Sequence, residues 1–245
     1  MEELVDTHCH INFFKNAGDI ALESEKKGIH TIYVTNLPSH FQDSFKYVKS
    51  LKYIYPALGF HPLQTNYDIE LEKELFLSNL DKTDFIGEIG LDFSSRASND
   101  KKKQLEIFEF ILDSIKDKNK ILSIHSTKAE EEILNLLQKY NQNFAILHWY
   151  SGTIKNLKIA IDLGYYFSIN TQMIQTKKGM NIISKIPKNL LLTETDSPFI
   201  KCKPKDVEKI YNFLAEEWKI DISEVKKQIL SNFFNLTLKK QTFLF

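Results

Sequence analysis

The chain has 245 residues, of which 42% are hydrophobic and 26% are charged, and its 32 basic and 32 acidic side chains give a formal net charge of zero. This composition is typical of a globular domain with a substantial core, and it excludes a global positive field that would attract nucleic acid by itself. Arg96 is the only arginine, so base reading through bidentate arginine contacts is nearly excluded.

Short apolar runs rich in β-branched residues alternate with stretches of helical periodicity along the chain, and they predict the following elements. In chain order these are strand Leu4–Thr7, helix Ala17–Gly28, strand His30–Thr35, helix Gln42–Leu51, strand Tyr53–Gly59, helix Leu71–Leu80, strand Phe85–Glu88, helix Lys103–Lys116, strand Ile121–His125, helix Ala129–Tyr140, strand Phe144–His148, helix Ile154–Leu163, strand Tyr165–Ile169, helix Gly179–Lys185, strand Leu190–Thr195, helix Asp206–Lys219 and helix Ser223–Phe234.

Eight strands alternating with helices predict an α/β fold, a (β/α)8 TIM-type barrel formed by one domain over residues 1–245. The competing prediction is a doubly wound open sheet, which usually carries a glycine-rich phosphate turn after its first strand. Here that turn reads Thr7-His8-Cys9-His10-Ile11-Asn12, which favours the barrel. In such a barrel the residues at the carboxyl ends of the strands meet at one mouth.

The N-terminal residues lack the basic and apolar regions of a signal peptide, and no apolar run approaches the roughly 18 residues that span a membrane. Two cysteines, Cys9 and Cys202, are too few for a disulfide framework and suit a reducing compartment. We therefore expect a cytoplasmic protein without a membrane partner.

Metal-binding side chains recur where the predicted strands end. Because strand side chains alternate between faces, His8 and His10 share a face and Cys9 points away. Any one of these histidines alone is better interpreted as a satisfied core residue, but their regular placement favours a metal site. The candidate ligands are His8, His10, Glu88, His125, His148 and Asp196.

Imidazole and carboxylate ligands suit Zn²⁺ and also Mn²⁺ or Fe²⁺. Six ligands exceed the needs of one tetrahedral ion, so we expect two divalent ions of the kind that hydrolyse phosphodiesters when roughly 3.5–4 Å apart; their identity stays open among Zn²⁺, Mg²⁺ and Mn²⁺. The expected assignment places His8, His10 and Asp196 on one ion, His125 and His148 on the other, and Glu88 on both. Asp196 is also the candidate general base, so that Asp196 and Glu88 are the expected catalytic residues.

Six motifs in order resemble the signatures of the TatD family of metal-dependent deoxyribonucleases, within the amidohydrolase superfamily. They are Asp6-Thr7-His8-Cys9-His10, Ala57-Leu58-Gly59-Phe60-His61-Pro62, Gly87-Glu88-Ile89-Gly90-Leu91-Asp92, Ile124-His125-Ser126, His148-Trp149-Tyr150-Ser151-Gly152 and Glu194-Thr195-Asp196-Ser197-Pro198. The resemblance implies a (β/α)8 barrel, divalent metals and hydrolysis of DNA, often as a 3′ exonuclease acting on single strands or 3′ ends.

Within that family the segment from Leu147 to Thr153, together with Phe167-Ser168-Ile169, Met173 and Lys178-Gly179, resembles the QatD group, the TatD-like components of Qat anti-phage systems. This resemblance implies other Qat proteins as partners. Two segments depart from the family pattern: Thr127-Lys128 follows His125-Ser126 where an arginine is typical, and the loop Ile200–Lys205 is short. Lys128, Lys201, Lys203 and Lys205 are the point charges available there for phosphate, although surface lysines are usually only solvated.

Three further side chains are candidate substrate contacts. His61 ends the third predicted strand and would bind or protonate the leaving oxygen, with a purely structural histidine as the alternative. Lys128 would contact phosphate, and Trp149 would stack on a base unless it only packs beside His148. Asp92 is expected to hydrogen-bond a ligand histidine.

Two other functions compete with the DNA phosphodiesterase. One is an amidohydrolase acting on a small substrate that is not a nucleic acid; many of these use a carbamylated lysine where this chain has Glu88, which favours the phosphodiesterase. The other is a conditionally active subunit of a larger complex, which the short loop after Asp196 would suit.

Overall fold

A computed structural model describes residues 3–95 and 101–242 of the protein; Arg96 lies outside them. Within these ranges eight parallel strands form one sheet in the order β1 to β8. The strands are β1 Leu4–Cys9, β2 Ile29–Val34, β3 Ile54–Leu58, β4 Phe85–Gly90, β5 Ile121–His125, β6 Ala145–His148, β7 Tyr166–Ile169 and β8 Leu191–Thr193. The predicted TIM-type barrel is confirmed.

Helices follow the strands and cover the outside of the sheet. They are α1 Ala17–Lys26, α2 Pro38–Val48, α3 Ile69–Asn79, α4 Lys101–Ser114, α5 Glu130–Lys139, α6 Ile154–Asp162, α7 Lys177–Ile183, α8 Glu208–Trp218 and α9 Ile222–Thr242. Their apolar faces pack on the strands, so that Phe108, Leu112, Leu137 and Phe233 are fully buried. None of the helices in the described ranges is long and apolar enough to cross a membrane.

The barrel closes between β1 and the segment that follows β8. The amide of Asp196 donates to the carbonyl of His8 over 2.9 Å, and the amide of His10 donates to the carbonyl of Ser197 over 2.8 Å. Asp6 reinforces the closure, because its buried carboxylate accepts hydrogen bonds from the amide and hydroxyl of Thr195. Closure therefore fixes His8, His10 and Asp196 relative to one another, although they are far apart in the sequence.

Most predicted elements differ from the observed ones by one or two residues, which is the usual uncertainty at element ends. Two helices differ by more, and the first of them, α2, also ends at Val48 instead of Leu51. Helix α2 begins at Pro38 instead of Gln42, because proline is tolerated in a first helical turn. Helix α9 continues to Thr242 instead of ending at Phe234, and Leu236 in the extension is fully buried. Strand β8 ends at Thr193 instead of Thr195, because Thr195 bonds to the Asp6 side chain.

Candidate metal centre

The mouth of the barrel brings the six predicted ligands together. His8 lies on β1 and His10 directly follows it, Glu88 lies on β4, His125 and His148 are the last residues of β5 and β6, and Asp196 follows β8. All except His125 are at most 6% exposed. The same strand ends also bring in His61, which follows β3.

The first of two clusters contains the side chains from β1. The two Nε2 atoms of His8 and His10 are 3.2 Å apart, and they lie 3.5 and 3.2 Å from Oε2 of Glu88. Oδ1 of Asp196 lies 3.9 Å from the first nitrogen and 3.7 Å from the second. Four atoms that hold one Zn²⁺ at about 2.1 Å in a tetrahedron lie roughly 3.4 Å apart, so this spacing fits a shared cation.

The second cluster contains the side chains from β5 and β6. Nδ1 of His125 lies 2.9 Å from Oε1 of Glu88, Nε2 of His148 lies 3.1 Å from the same oxygen, and the two nitrogens are 3.4 Å apart. The Glu88 carboxylate thus directs one oxygen into each cluster. One carboxylate therefore contributes to both clusters.

Burial raises the pKa of Glu88, but the attraction of His61 and the hydrogen bonds with His10, His125 and His148 together lower it well below its usual range. In the same way, burial lowers the pKa of His148, but the carboxylates of Glu194 and Glu88 raise it well above its usual value. The site therefore holds an ionised carboxylate and favours positive charge around it, which is the electrostatic requirement for a cation site.

The outward ring nitrogens of His10 and His125 each face an acceptor, which sets the tautomer of the neutral ring. Nδ1 of His10 lies 2.9 Å from Oδ1 of Asn36, an acceptor, so this nitrogen carries the proton and Nε2 directs a lone pair into the site. Nδ1 of His8 lies 2.8 Å from the hydroxyl of Ser123, which is able to accept from it; in that tautomer Nε2 of His8 also directs a lone pair into the site. Two lone pairs then face each other over 3.2 Å, which is unfavourable without a cation between them.

In the second cluster the nitrogens that face each other are Nδ1 of His125 and Nε2 of His148. Nε2 of His125 donates to Oδ2 of Asp92 over 2.9 Å, so Nδ1 is the nitrogen free for a metal. Nδ1 of His148 lies 3.5 Å from Oε1 of Glu194 and makes no hydrogen bond with the described residues, whereas its Nε2 faces Glu88 and His125. Carboxylates that accept from the second nitrogen of a histidine are the usual support of a metal ligand, and Asp92 has the position that the sequence predicts.

His61 has the opposite arrangement. The amide of Leu63 donates to its Nδ1 over 3.0 Å, so the ring proton is on Nε2, which lies 3.0 Å from Oε1 of Glu88. His61 therefore presents an N–H group to the site even as a neutral ring, whereas the inward nitrogens of His10 and His125 carry lone pairs when those rings are neutral. This makes it a hydrogen-bond donor at the mouth and distinguishes it from the candidate ligands.

Burial raises the pKa of Asp196 to about 7, although the nearby His148 and His10 lower it. Its backbone has a φ of 46°, a conformation that turns the chain sharply just beyond β8. The turn places Oδ1 at the edge of the first cluster. A carboxylate whose pKa lies near neutrality at such a position suits proton transfer.

Lys128 and Trp149 lie beside the second cluster. They line a cavity of about 520 Å³ together with His125, His148 and Asp92. Both have left-handed backbone conformations, with φ of 56° and 40°, and these turns direct the loops after β5 and β6 around the cavity. Lys128 is exposed and Trp149 is half-buried, so the cavity has a cation and an aromatic ring in its wall.

Three supporting residues were not predicted: Asn36, Ser123 and Glu194. Each is at most 4% exposed and faces the second nitrogen of a candidate ligand. A signal existed for two of them, since Ser123 and Glu194 stand two residues before His125 and Asp196. The carboxylate of Glu194 is itself fixed by hydrogen bonds from Ser168 and from Asn170.

Comparison with known proteins identifies the family of the chain. The model of the family described as TatD related DNase matches residues 5–237. Human deoxyribonuclease TATDN3 is 25% identical over 95% of this chain and 94% of its own length, and an uncharacterised metal-dependent hydrolase of Buchnera aphidicola is 30% identical over 95% of this chain and 98% of its own. Among solved structures, the TatD homologue YjjV of Escherichia coli superposes with a TM-score of 0.84 at 22% identity, covering 95% of this chain and 97% of that one. The chain belongs to the TatD-related DNase family of metal-dependent hydrolases.

Proposed function

We propose that the protein hydrolyses DNA phosphodiesters with two divalent ions. In this proposal His8, His10 and Asp196 would hold one ion, His125 and His148 would hold the other, and Glu88 would contribute one carboxylate oxygen to each. The observation that carries this proposal is the Glu88 carboxylate, which has Oε2 3.2 Å from His10 and Oε1 2.9 Å from His125. A single ion would leave one of the two clusters without a use.

When bound there, divalent ions would stabilise negative charge on the phosphodiester and lower the pKa of the attacking water. The carboxylate of Asp196, at the edge of the first cluster, would accept the proton of that water. The Nε2–H group of His61, on the other side of Glu88, is placed to donate to the leaving or a non-bridging oxygen. Lys128 and Trp149, in the cavity wall beyond His125, bind the adjoining phosphate and base.

The mode of cleavage in this proposal is exonucleolytic, on single-stranded DNA or 3′ ends. The cavity beside the ions supports it, because about 520 Å³ accommodates a small part of a substrate such as a terminal nucleotide. The proposed setting is a Qat-type anti-phage system in the cytoplasm, with other Qat proteins as partners. What supports that setting is the run of residues from Leu147 to Thr153 and the two free cysteines.

The test is cleavage of labelled single-stranded DNA by protein reconstituted separately with Zn²⁺, Mg²⁺ and Mn²⁺, next to Glu88→Ala and a matched control, Glu217→Ala. Glu217 is exposed on α8, so its removal leaves the centre intact. We expect the wild type and the control to bind two ions per chain and to cut, and Glu88→Ala to lose activity. Linear DNA should be shortened from one end, and a circle of the same sequence should resist.

Each part of the proposal fails separately. Cleavage that survives in Glu88→Ala would remove the bridging role, and cleavage of the circle would remove the exonucleolytic mode. If the wild type binds two ions and cuts no DNA, the activity is that of an amidohydrolase on a small substrate or requires a partner subunit. RNA of the same sequence, tested in parallel, decides the sugar preference.

A further inference from the structure

Two phenylalanine side chains are exposed beside the candidate metal centre, although large apolar side chains are usually buried. Phe13 is 44% exposed and Phe199 is 54% exposed. Their rings are 5.2 Å apart between centroids. We call this pair the aromatic platform.

The platform is attached to the centre at both ends. Phe13 lies three residues after His10, and its amide donates to the carbonyl of His10 over 3.1 Å; Phe199 lies three residues after Asp196, and its amide donates to the carbonyl of Asp196 over 3.0 Å. The rings also contact the imidazole of His10 edge to face, with centroids at 5.8 and 4.9 Å. The platform therefore has a fixed position next to the first cluster.

Three lysines lie close to the platform residues in the sequence. Lys15 follows Phe13 by two residues, Lys201 and Lys203 follow Phe199, and all three are exposed. Within residues 3–95 and 101–242 none of the three takes part in an ion pair, whereas the neighbouring Lys205 pairs with Glu23. Lys201 and Lys203 also line a surface cavity of about 470 Å³.

We propose that the aromatic platform stacks the nucleobase next to the scissile phosphodiester, and that Lys201 and Lys203 receive the phosphate beyond it. The proposal rests on the proposed function, because it names how that site holds its substrate. Flat π-faces beside cations are the usual means of binding single-stranded nucleic acid without sequence preference. The platform lies on the β1 and β8 side of the centre, and the cavity of Trp149 lies on the β5 and β6 side, so the strand crosses between two aromatic sites.

The competing explanation is that both rings only shield His10 from water, since His10 is 1% exposed. The two explanations make different demands on the side chain. A shield needs apolar volume, which leucine supplies, whereas stacking needs a flat aromatic face, which leucine lacks. Phe199→Leu and Phe13→Leu therefore separate the two, and Phe199→Tyr is the variant that keeps the face.

The experiment compares a single-stranded oligothymidylate with an oligomer of the same length whose residues are all abasic. Both have the same phosphodiesters, and only the first has bases to stack. For each protein, kcat/KM is measured with metal, and the dissociation constant is measured in EDTA by fluorescence anisotropy of the labelled oligomers. Tyr47→Leu is the matched control, because Tyr47 is 72% exposed near the end of α2, which runs away from the mouth.

We expect each leucine variant to lose roughly tenfold or more in kcat/KM and in affinity for oligothymidylate, with little change for the abasic oligomer. Phe199→Tyr and Tyr47→Leu should resemble the wild type. Equal losses on both oligomers, or no loss on either, would overturn the platform, as would a leucine variant whose only effect is on oligomeric state. If the wild type cuts neither oligomer, the proposed function fails, and the binding measurement alone decides whether the platform recognises bases.

Discussion

The tautomer of His10 depends on one neighbour, so Asn36→Leu is a direct test of the metal centre. In the wild type, Oδ1 of Asn36 accepts from Nδ1 of His10 over 2.9 Å, and Nε2 is left free. Without that acceptor the ring is free to take the other tautomer, in which Nε2–H donates to Oε2 of Glu88, 3.2 Å away. A cation must then displace a hydrogen-bonded proton before it binds.

The expected magnitude follows from the burial of both groups. Asn36 is 4% exposed and His10 is 1% exposed, so water does not replace the lost acceptor. Loss of such a supporting partner typically weakens metal affinity by 10- to 100-fold, which is about 1.4–2.7 kcal/mol. If the ring keeps its tautomer instead, the buried N–H is left without an acceptor, which costs about 1–3 kcal/mol of metal-free stability.

The assay is titration of metal-free protein with Zn²⁺ against a chelating indicator, together with thermal unfolding in EDTA. We expect Asn36→Leu to bind one ion per chain as the wild type does and to bind the second 10- to 100-fold more weakly. Asn36→Asp keeps an acceptor at the same place and should keep both sites. Two unchanged affinities in Asn36→Leu would refute the tautomer reasoning.

Three other outcomes are expected. Asp92→Leu should lower the affinity for the ion held by His125 and His148, because Asp92 accepts a hydrogen bond from His125 over 2.9 Å. Competition titration next to Asn36→Leu checks that the two variants affect different sites. Chelation should abolish DNA cleavage and re-addition of a divalent ion should restore it, which a labelled oligonucleotide assay measures. Phe108→Ala should lower the free energy of unfolding by about 3–5 kcal/mol, because Phe108 is fully buried. The metal affinities measured by titration should stay the same. Lower metal affinities in this variant would contradict the independence of the metal centre from the outer core.

The overall fold was predictable because its signals are local. Apolar runs such as Ile121–His125 end in a polar ligand, and the helical stretches between them have the right lengths for barrel crossovers. The same rule placed His8, His10, Glu88, His125 and His148 at one mouth, since parallel strands direct their carboxyl ends to one side. Whether these side chains hold ions stays a prediction that the titrations above decide.

The parts that the sequence did not predict depend on contacts between distant segments. Asn36 acts through His10, which lies 26 residues away, and Glu194 acts through His148, which lies 46 residues away along the chain. Glu194 directly follows β8, but nothing in the local sequence of either residue indicates which imidazole it faces. The early end of β8 has the same origin, because the amide of Thr195 donates a hydrogen bond to the carboxylate of Asp6 on β1.

Residue type alone does not distinguish a metal ligand from a proton donor in this centre, because five histidines surround one carboxylate. The distinction comes from the group on the far side of each ring. An acceptor there, Asn36 for His10 or Asp92 for His125, directs a lone pair inward, whereas the amide of Leu63 behind His61 directs a proton inward. Because that amide belongs to the backbone, side-chain substitution leaves it in place. The backbone therefore fixes Nε2 of His61 as a hydrogen-bond donor toward Glu88.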